Sequence, residues 1–69
     1  MYDYTPFWET LKNSSETTYT LIHKYNINST TITRLRNNQS ITMDSLDRIC
    51  QALNCDLNEV VRIKREELD

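Results

Sequence analysis

Apolar residues recur along the chain at the spacing of α-helices. They fall into groups spaced i, i+3 or i, i+1, i+4, and the members of such a group share one face of a helix. The groups are Phe7, Trp8 and Leu11; Leu21, Ile22 and Tyr25; Ile32 and Leu35; and Leu46, Ile49, Cys50 and Leu53. A chain of 69 residues has room for one small core. The pattern therefore predicts an all-α fold, a compact bundle of short helices in one domain over residues 1–69.

Capping residues set the predicted helix boundaries, because the chain has no glycine and one proline. Side chains that can accept from the first backbone N–H groups precede each apolar group. These candidate N-caps are Thr5 (before Pro6), Thr17, Asn28 or Ser29, Thr42 and Asp56. Asn26 and Asn54 can end two helices in the left-handed conformation that glycine usually adopts. The boundaries predict five helices, at about 6–13, 18–25, 29–37, 43–53 and 57–61.

The two ends of the chain carry a different pattern. Tyr2 and Tyr4 alternate with polar residues near the start, and Val61 and Ile63 do so near the end. Alternation places side chains of one kind on one face of an extended strand. The ends therefore predict a small antiparallel β-ribbon made of two very short strands.

Charge is unevenly distributed along the chain. The formal net charge is −2, which by itself implies no general attraction to nucleic acid. Residues 17–43 contain Lys24, Arg34 and Arg36 but no Asp or Glu, whereas the segments on both sides are net acidic. Such a window also arises by chance in short chains, so charge alone does not decide the function.

The third predicted helix has an unusual outward face. We take Ile32 and Leu35 as facing the core and step about 100° per residue around the helix. The outward residues all carry hydrogen-bonding side chains: Ser29 at the edge, then Thr30, Thr33, Arg34 and Asn37. Solvated faces usually carry Glu, Lys and Gln, which favour a helix more than Thr and Asn do. In a DNA major groove, however, Thr and Ser can donate or accept and Arg pairs with guanine.

The spacing of the second and third predicted helices indicates a helix-turn-helix. Leu21 belongs to the first of them, Asn26 marks a turn, and Ile27, Ile32 and Leu35 follow. This order describes two short helices that meet across a turn of about three residues. The other interpretation, which stays open on the pattern alone, is the polar face of an ordinary small bundle.

The chain resembles the Cro/repressor-type (Xre-like) helix-turn-helix transcriptional regulators, in particular their small single-domain bacterial members. The resemblance covers nearly the whole chain and is carried by the stretches PFWETL, TTYTLIHKYNINSTTITRLRNN and SLDRICQALNCDLNEVV. It implies a fold of four to five helices and sequence-specific binding to double-stranded DNA, usually as a homodimer. A repressor that reads the major groove with its third helix is the function that the resemblance implies.

The resemblance also assigns site residues by position. The family's base-reading positions hold Asn28, Ser29, Thr30, Thr33 and Arg34. The positions that contact the phosphate backbone hold Thr18, Asn37 and Asn38. Arg36 is a further candidate for a phosphate contact, because the helical period places it at the rim of the outward face.

Three residues depart from the family pattern. Ile22 replaces an Ala, Asn26 replaces the turn Gly, and Arg36 replaces a Glu. The first two should alter packing rather than function. Arg36 adds a positive charge beside the DNA face, and we expect it to reach a phosphate at the rim of the site or a carboxylate within the protein.

A homodimer is expected on DNA, because a helix-turn-helix monomer of this size contacts about half of a typical two-fold site. The candidate interface elements are the fifth predicted helix and the terminal segments. Apolar residues in these segments exceed what a small core needs: Tyr2, Tyr4, Trp8, Val61 and Ile63.

Other classes of function find little support in the sequence. His23 is the single histidine, and the chain has neither a Gly-rich phosphate loop nor a catalytic constellation, so an enzyme is not expected. Cys50 and Cys55 are too few for a zinc site. They would lie on different faces of one helix, so a disulfide between them requires a break in that helix.

The remaining expectations concern partners and location. We expect no cofactor, no metal and no small-molecule ligand. The sequence has no signal peptide and no apolar run long enough to span a membrane, which predicts a cytoplasmic protein. A protein-interaction module on the same scaffold, such as an antitoxin or anti-repressor, is the alternative function, and an exposed apolar patch would favour it.

Overall fold

The computed structural model describes residues 1–65 and contains four α-helices within that range. In chain order the elements are β1 (Tyr2–Asp3), α1 (Thr5–Lys12), α2 (Thr18–His23), α3 (Ser29–Arg36), α4 (Met43–Leu53), a 3₁₀ helix (Leu57–Glu59) and β2 (Arg62–Ile63). The two strands pair antiparallel, with Tyr2 opposite Ile63 and Asp3 opposite Arg62. The four α-helices confirm the predicted helical fold, and the antiparallel pair of strands confirms the predicted terminal ribbon.

The prediction of a fifth α-helix is wrong. Leu57–Glu59 form a 3₁₀ helix of 3 residues instead. The N–H groups of Val60 and Val61 both donate to the Leu57 carbonyl, at 3.0 and 3.1 Å, which closes the turn. Leu57 is 52% exposed, so the segment lacks the buried apolar face that sustains a longer helix.

The start of the first helix also differs from the prediction. α1 begins at Thr5 itself, and Thr5 is not its cap. The hydroxyl and the backbone N–H of Thr5 both donate to Asp3 Oδ1, at 2.7 and 3.1 Å. Arg62 Nε donates to the other carboxylate oxygen at 3.1 Å. The hydrogen bonds from Thr5 and Arg62 hold the pKa of Asp3 well below its usual range, so this carboxylate links the ribbon to α1 as an anion.

Most of the other predicted caps are confirmed. Thr17 and Thr42 accept from the backbone N–H three residues later, at 3.2 and 3.1 Å. Asn26 and Asn54 are left-handed, with φ of 59° and 51°. Asn38 also has a positive φ, of 53°, which the sequence did not predict.

One apolar cluster forms the core. Its buried members are Tyr4, Phe7, Leu11, Leu21, Ile27, Ile32, Leu35, Leu46, Ile49 and Val60. Tyr4, which we predicted at a dimer interface, is part of this core, because it is 1% exposed. Its hydroxyl donates to the Gln39 carbonyl at 2.7 Å, and its backbone N–H donates to Asn38 Oδ1 at 3.3 Å. Tyr4 therefore joins the N-terminal segment to the loop after α3.

Candidate nucleic-acid interface

The turn between α2 and α3 contributes its own core residue. α2 ends at His23, two residues before its predicted end, and Asn26 then takes the left-handed conformation. Ile27 follows, is 3% exposed, and donates its backbone N–H to the Leu21 carbonyl at 3.0 Å. Asn tolerates the left-handed region better than most residues, so the departure from the family glycine leaves the turn intact. The buried Ile27 fixes the direction in which α3 leaves the turn.

The predicted inward face of α3 is confirmed. Ile32 and Leu35 are buried, and so is Thr31, which adjoins Ile32 on the helix. The Thr31 hydroxyl lies 3.5 Å from the hydroxyl of Ser45 near the start of α4. α3 is thus attached to the core by two aliphatic side chains and contacts α4 through a polar pair.

The outward face of α3 carries exposed polar side chains. Ser29, Thr30, Thr33 and Arg34 are exposed, as predicted from the helical period. Asn28 caps the helix, and its Oδ1 accepts from the Thr30 N–H at 2.8 Å. This bond leaves the Asn28 amide nitrogen as the donor that a partner can use.

The loop after α3 extends this polar surface. Arg34 Nη1 donates to the Ser40 carbonyl at 3.4 Å, a long bond that leaves most of the guanidinium exposed. Two open cavities flank Arg34. One, of about 240 Å³, is lined by Asn28, Thr30, Thr31, Ile41, Thr42 and Ser45 as well as Arg34. The other, of about 430 Å³, is lined by Tyr2, Asn38, Gln39 and Ser40 as well as Arg34.

Sequence reasoning missed Gln39, Ser40 and Tyr2 as neighbours of Arg34. A signal for the first two existed, since both lie in the segment without carboxylates that extends through residue 43. Tyr2 could not be placed there from local pattern, because it reaches the cavity through the pairing of β1 with β2.

The residues assigned to phosphate differ in their surroundings. Thr18 is the first residue of α2 and is half-buried, and Asn37 is exposed at the end of α3. Asn38 uses its Oδ1 to accept from Tyr4. The guanidinium carbon of Arg36 lies 5.6 Å from the centre of the Trp8 ring. Within residues 1–65, Arg36 therefore lies against an indole and forms no ion pair with a carboxylate, which was one of the two contacts that we expected.

Positive charge around the helix-turn-helix is concentrated on α3. Lys24 Nζ lies 3.9 Å from Glu16 Oε1, so the charge of Lys24 is partly balanced. Arg34 and Arg36 are exposed on α3. A partner with negative charge would meet these two guanidinium groups and no carboxylate of α3.

A family model for the Cro/C1-type helix-turn-helix DNA-binding domain matches residues 7–66. The chain belongs to this family. The Cro/C1-type match begins at Phe7 and includes α2, the turn at Asn26 and α3, so the helix-turn-helix described above is the family's DNA-binding element.

The comparison with solved structures agrees with this fold. The crystal structure of the transcriptional regulator VanUg (form II) superimposes with a TM-score of 0.83. The two chains are 23% identical, and the alignment covers 94% of this chain and 87% of VanUg. At this identity the likeness establishes the fold alone. No curated protein matches the chain.

The described part of the Cro/C1-type domain contains neither a membrane-spanning helix nor a group of metal ligands. Within residues 1–65, no helix has the length and hydropathy needed to cross a membrane. In the same range, no three His, Cys, Asp or Glu side chains are grouped as metal ligands.

Ile22, where the family usually has Ala, is partly buried and packs against the core.

Proposed function

We propose that this protein represses transcription by binding double-stranded DNA sequence-specifically, with α3 in the major groove. The observation that carries the proposal is the outward face of α3, where every side chain is able to form hydrogen bonds and none is a carboxylate. A major groove about 12 Å wide admits an α-helix, and short polar side chains let the helix backbone approach the bases.

The proposed base readers are Asn28, Ser29, Thr30, Thr33 and Arg34. Arg34 is the side chain suited to a guanine, because within residues 1–65 its guanidinium is held only by the long bond to Ser40 and can turn to donate two parallel hydrogen bonds. Thr30 and Thr33 offer a methyl group for contact with thymine. The Thr30 hydroxyl can donate or accept, whereas the Thr33 hydroxyl donates to the Ser29 carbonyl at 3.2 Å and can accept from a partner.

The proposed phosphate contacts surround this face. Thr18 lies in the first turn of α2, where backbone N–H groups favour an anion. Asn37 and Asn38 lie at the end of α3 and in the loop after it, and Asn38 keeps its amide nitrogen as a donor. Arg36 would reach phosphate from the rim of the site, because its guanidinium lies over Trp8.

We propose that the DNA-bound form is a homodimer that associates through one apolar surface. Exposed and half-buried apolar side chains gather around a groove of about 250 Å³. The groove, called here the apolar face, is lined by Tyr2, Tyr4, Ile41, Met43, Leu46, Leu57, Val61 and Ile63. Of the predicted interface residues, Tyr2, Val61 and Ile63 fit this surface, whereas Trp8 packs against Phe7 and Arg36 instead.

The position of the apolar face supports a second copy as its occupant. Ile41 lines both the apolar face and the cavity beside Arg34, so the two surfaces adjoin. A second copy seated on the apolar face would bring both α3 helices to one side of the dimer. Two-fold operators present their half-sites on one side of the duplex, about 34–36 Å apart.

A protein-interaction module is the second candidate function, and the same surface is the observation that favours it. Met43 is 75% exposed and Ile63 is 61% exposed. Contiguous exposed apolar side chains mark binding surfaces for proteins. A foreign protein partner would cover them as a second copy would, so DNA binding has to be tested directly.

The test is selection of bound duplexes from a random pool at low salt, followed by titration of the selected site. The DNA-binding proposal expects enrichment of inverted half-sites and two protomers per duplex. Lys12→Ala, which removes an exposed charge from α1, serves as the matched control and should leave the selected sequence unchanged.

The outcomes separate the candidates. If no sequence is enriched, sequence-specific DNA binding is refuted and the interaction module replaces it. If an unpaired half-site is enriched and one protomer saturates it, binding as a homodimer is refuted while sequence-specific DNA binding stands.

A further inference from the structure

Cys50 and Cys55 meet where α4 ends. In a continuous helix they would lie on different faces, but α4 ends at Leu53 and Asn54 takes a φ of 51°. The chain reverses there, and the Cys55 N–H donates back to the Cys50 carbonyl at 3.0 Å. This is the hydrogen bond of the Schellman motif that spans six residues, from Cys50 to Cys55. In this motif the side chains at the two ends of that span are frequently in contact. The end of α4 supplies the break that a contact between the two cysteines requires.

The backbone brings the two cysteines together, as a disulfide requires. The bond from the Cys55 N–H to the Cys50 carbonyl closes the turn that ends α4, so the two residues lie beside each other although five positions separate them. Disulfides join residues whose Cα atoms are about 4.4–6.8 Å apart. Each thiol is close enough to the other to shift its pKa. Both are half-buried and free, and both line one open cavity of about 240 Å³.

We propose that Cys50 and Cys55 form a reversible intramolecular disulfide by exchange with a small-molecule disulfide such as oxidised glutathione. One cysteine thiolate attacks a sulfur of glutathione disulfide, which breaks that S–S bond and releases one glutathione thiolate. The second cysteine thiolate attacks the protein sulfur of the mixed disulfide and releases the other glutathione. The protein loses two electrons, the small disulfide gains them, and the two thiol protons pass to the glutathione thiolates.

The surroundings make this site slow to react but stable once oxidised. Burial raises the pKa of both thiols, and the negative charge of Glu59 and Asp56 raises it further. The pKa of Cys55 rises to about 11. Few thiolates exist at neutral pH, so attack is slow. A disulfide is a strong oxidant when its reduced form is stabilised as a thiolate. The raised pKa values show that neither thiolate is stabilised here, so we expect the disulfide to resist reduction.

Oxidation would act on stability more than on DNA reading. α4 contacts α3 near its own start, through Ser45 and Thr31. Cys50 lies five residues beyond Ser45 on α4, about 8 Å along the axis at 1.5 Å per residue, and Cys55 lies beyond the end of the helix. Beyond them, the Glu59 carbonyl accepts from the Thr10 hydroxyl at 2.7 Å, so the segment that follows Cys55 is attached to α1. The disulfide would therefore stiffen the connection from α4 to α1 and leave α3 unchanged.

The experiment equilibrates the full chain in glutathione buffers of increasing oxidised share. The reaction is quenched with acid, free thiols are alkylated, and the intact mass is measured. We expect a direct change from two alkylated thiols to none, with a mass lower by two hydrogen atoms and no glutathione attached. A parallel thermal scan should show a midpoint several degrees higher for the oxidised protein, reversed by a thiol reductant.

Two controls connect the result to the folded geometry. Cys50→Ser and Cys55→Ser each leave one thiol and should accumulate a glutathione adduct in the same buffers. In concentrated urea the wild-type chain should hold several-fold less disulfide at a given buffer ratio. By thermodynamic reciprocity, the factor by which folding favours disulfide formation equals the factor by which the disulfide increases the equilibrium constant for folding.

The wild-type measurement decides the proposal without the variants. Two alkylated thiols under oxidising buffer, a stable glutathione adduct, or a disulfide between copies would each overturn it. So would an intramolecular disulfide that forms equally in urea, because the end of α4 would then contribute nothing.

Discussion

Replacing Arg34 with alanine separates base reading from the structural role of α3, because little of the fold depends on this side chain. Its hydrogen bond to Ser40 is 3.4 Å long and exposed. We therefore expect the free energy of unfolding to change by less than about 0.5 kcal/mol. A bidentate pair with guanine contributes about 1–3 kcal/mol of discrimination. Affinity for the selected site should then fall by roughly 5- to 150-fold per half-site, with relaxed preference at one base position.

Arg36→Ala is the matched control, since it removes the same charge two residues away. Arg36 lies over the Trp8 ring at 5.6 Å, and exposed contacts of this kind contribute about 0.5–1 kcal/mol. We expect the free energy of unfolding to fall by about that amount. Binding should weaken about equally for every sequence, and the salt slope should fall by about one for each phosphate that Arg36 neutralises in the wild-type complex.

The assay is titration of both variants against the selected duplex and a scrambled one at several salt concentrations, with urea denaturation of each variant. The reasoning predicts opposite patterns: Arg34→Ala loses specificity and keeps stability, whereas Arg36→Ala loses stability and keeps specificity. If Arg34→Ala weakens both duplexes equally, Arg34 does not read a base. If it also destabilises the fold by more than about 1 kcal/mol, the Ser40 contact has been underestimated.

Three further predictions concern the supporting structure. Leu35→Ala should lower the free energy of unfolding by about 2–5 kcal/mol in chemical denaturation, because Leu35 is fully buried under α3; a loss below about 0.5 kcal/mol would contradict the orientation of the helix. Thr42→Ala should cost about 0.5–2 kcal/mol by removing the cap on α4, and Thr42→Ser should restore it. Asp3 has a lowered pKa in the folded state, so its stabilising contribution should be complete above the ordinary carboxylate pKa of 3.8 and should fade as pH drops below it. Asp3→Asn should flatten that part of the curve of stability against pH, and an unchanged curve would show that Asp3 is not bound as an anion.

The helical period and the residues at helix ends predicted those parts of the fold that depend on residues close together in the sequence. The facing of α3 follows from the helical period of Ile32 and Leu35, and both are buried. The end of α4 follows from the left-handed conformation that Asn54 tolerates, and the same tolerance places Asn26 in the turn after α2, although α2 itself ends earlier, at His23. The family resemblance supplied the proposed base-reading positions, and the helical period predicted that Ser29, Thr30, Thr33 and Arg34 are exposed on α3.

The errors arose where contacts join distant parts of the chain. Thr5 has the chemistry of a cap, but its hydroxyl donates to Asp3, which is fixed by Arg62 at the other end of the chain. Tyr4 was expected at an interface, but the loop after α3 provides two partners for it in the interior. Arg36 meets Trp8 across the packing of α1 on α3, which no spacing in the sequence records.

The ribbon has a consequence for the order in which the protein completes its fold during synthesis. The chain is made from its N-terminus, so α2 and α3 leave the ribosome well before Arg62 does. Asp3 pairs with Arg62 across 59 positions, and the adjoining Tyr4 contacts Asn38 and the Gln39 carbonyl beside Arg34. Until Arg62 has emerged, the first strand lacks its partner and the loop beside Arg34 lacks a fixed support. A nascent chain would therefore acquire the helix-turn-helix early and the complete surface proposed to read DNA only after Arg62 has left the ribosome.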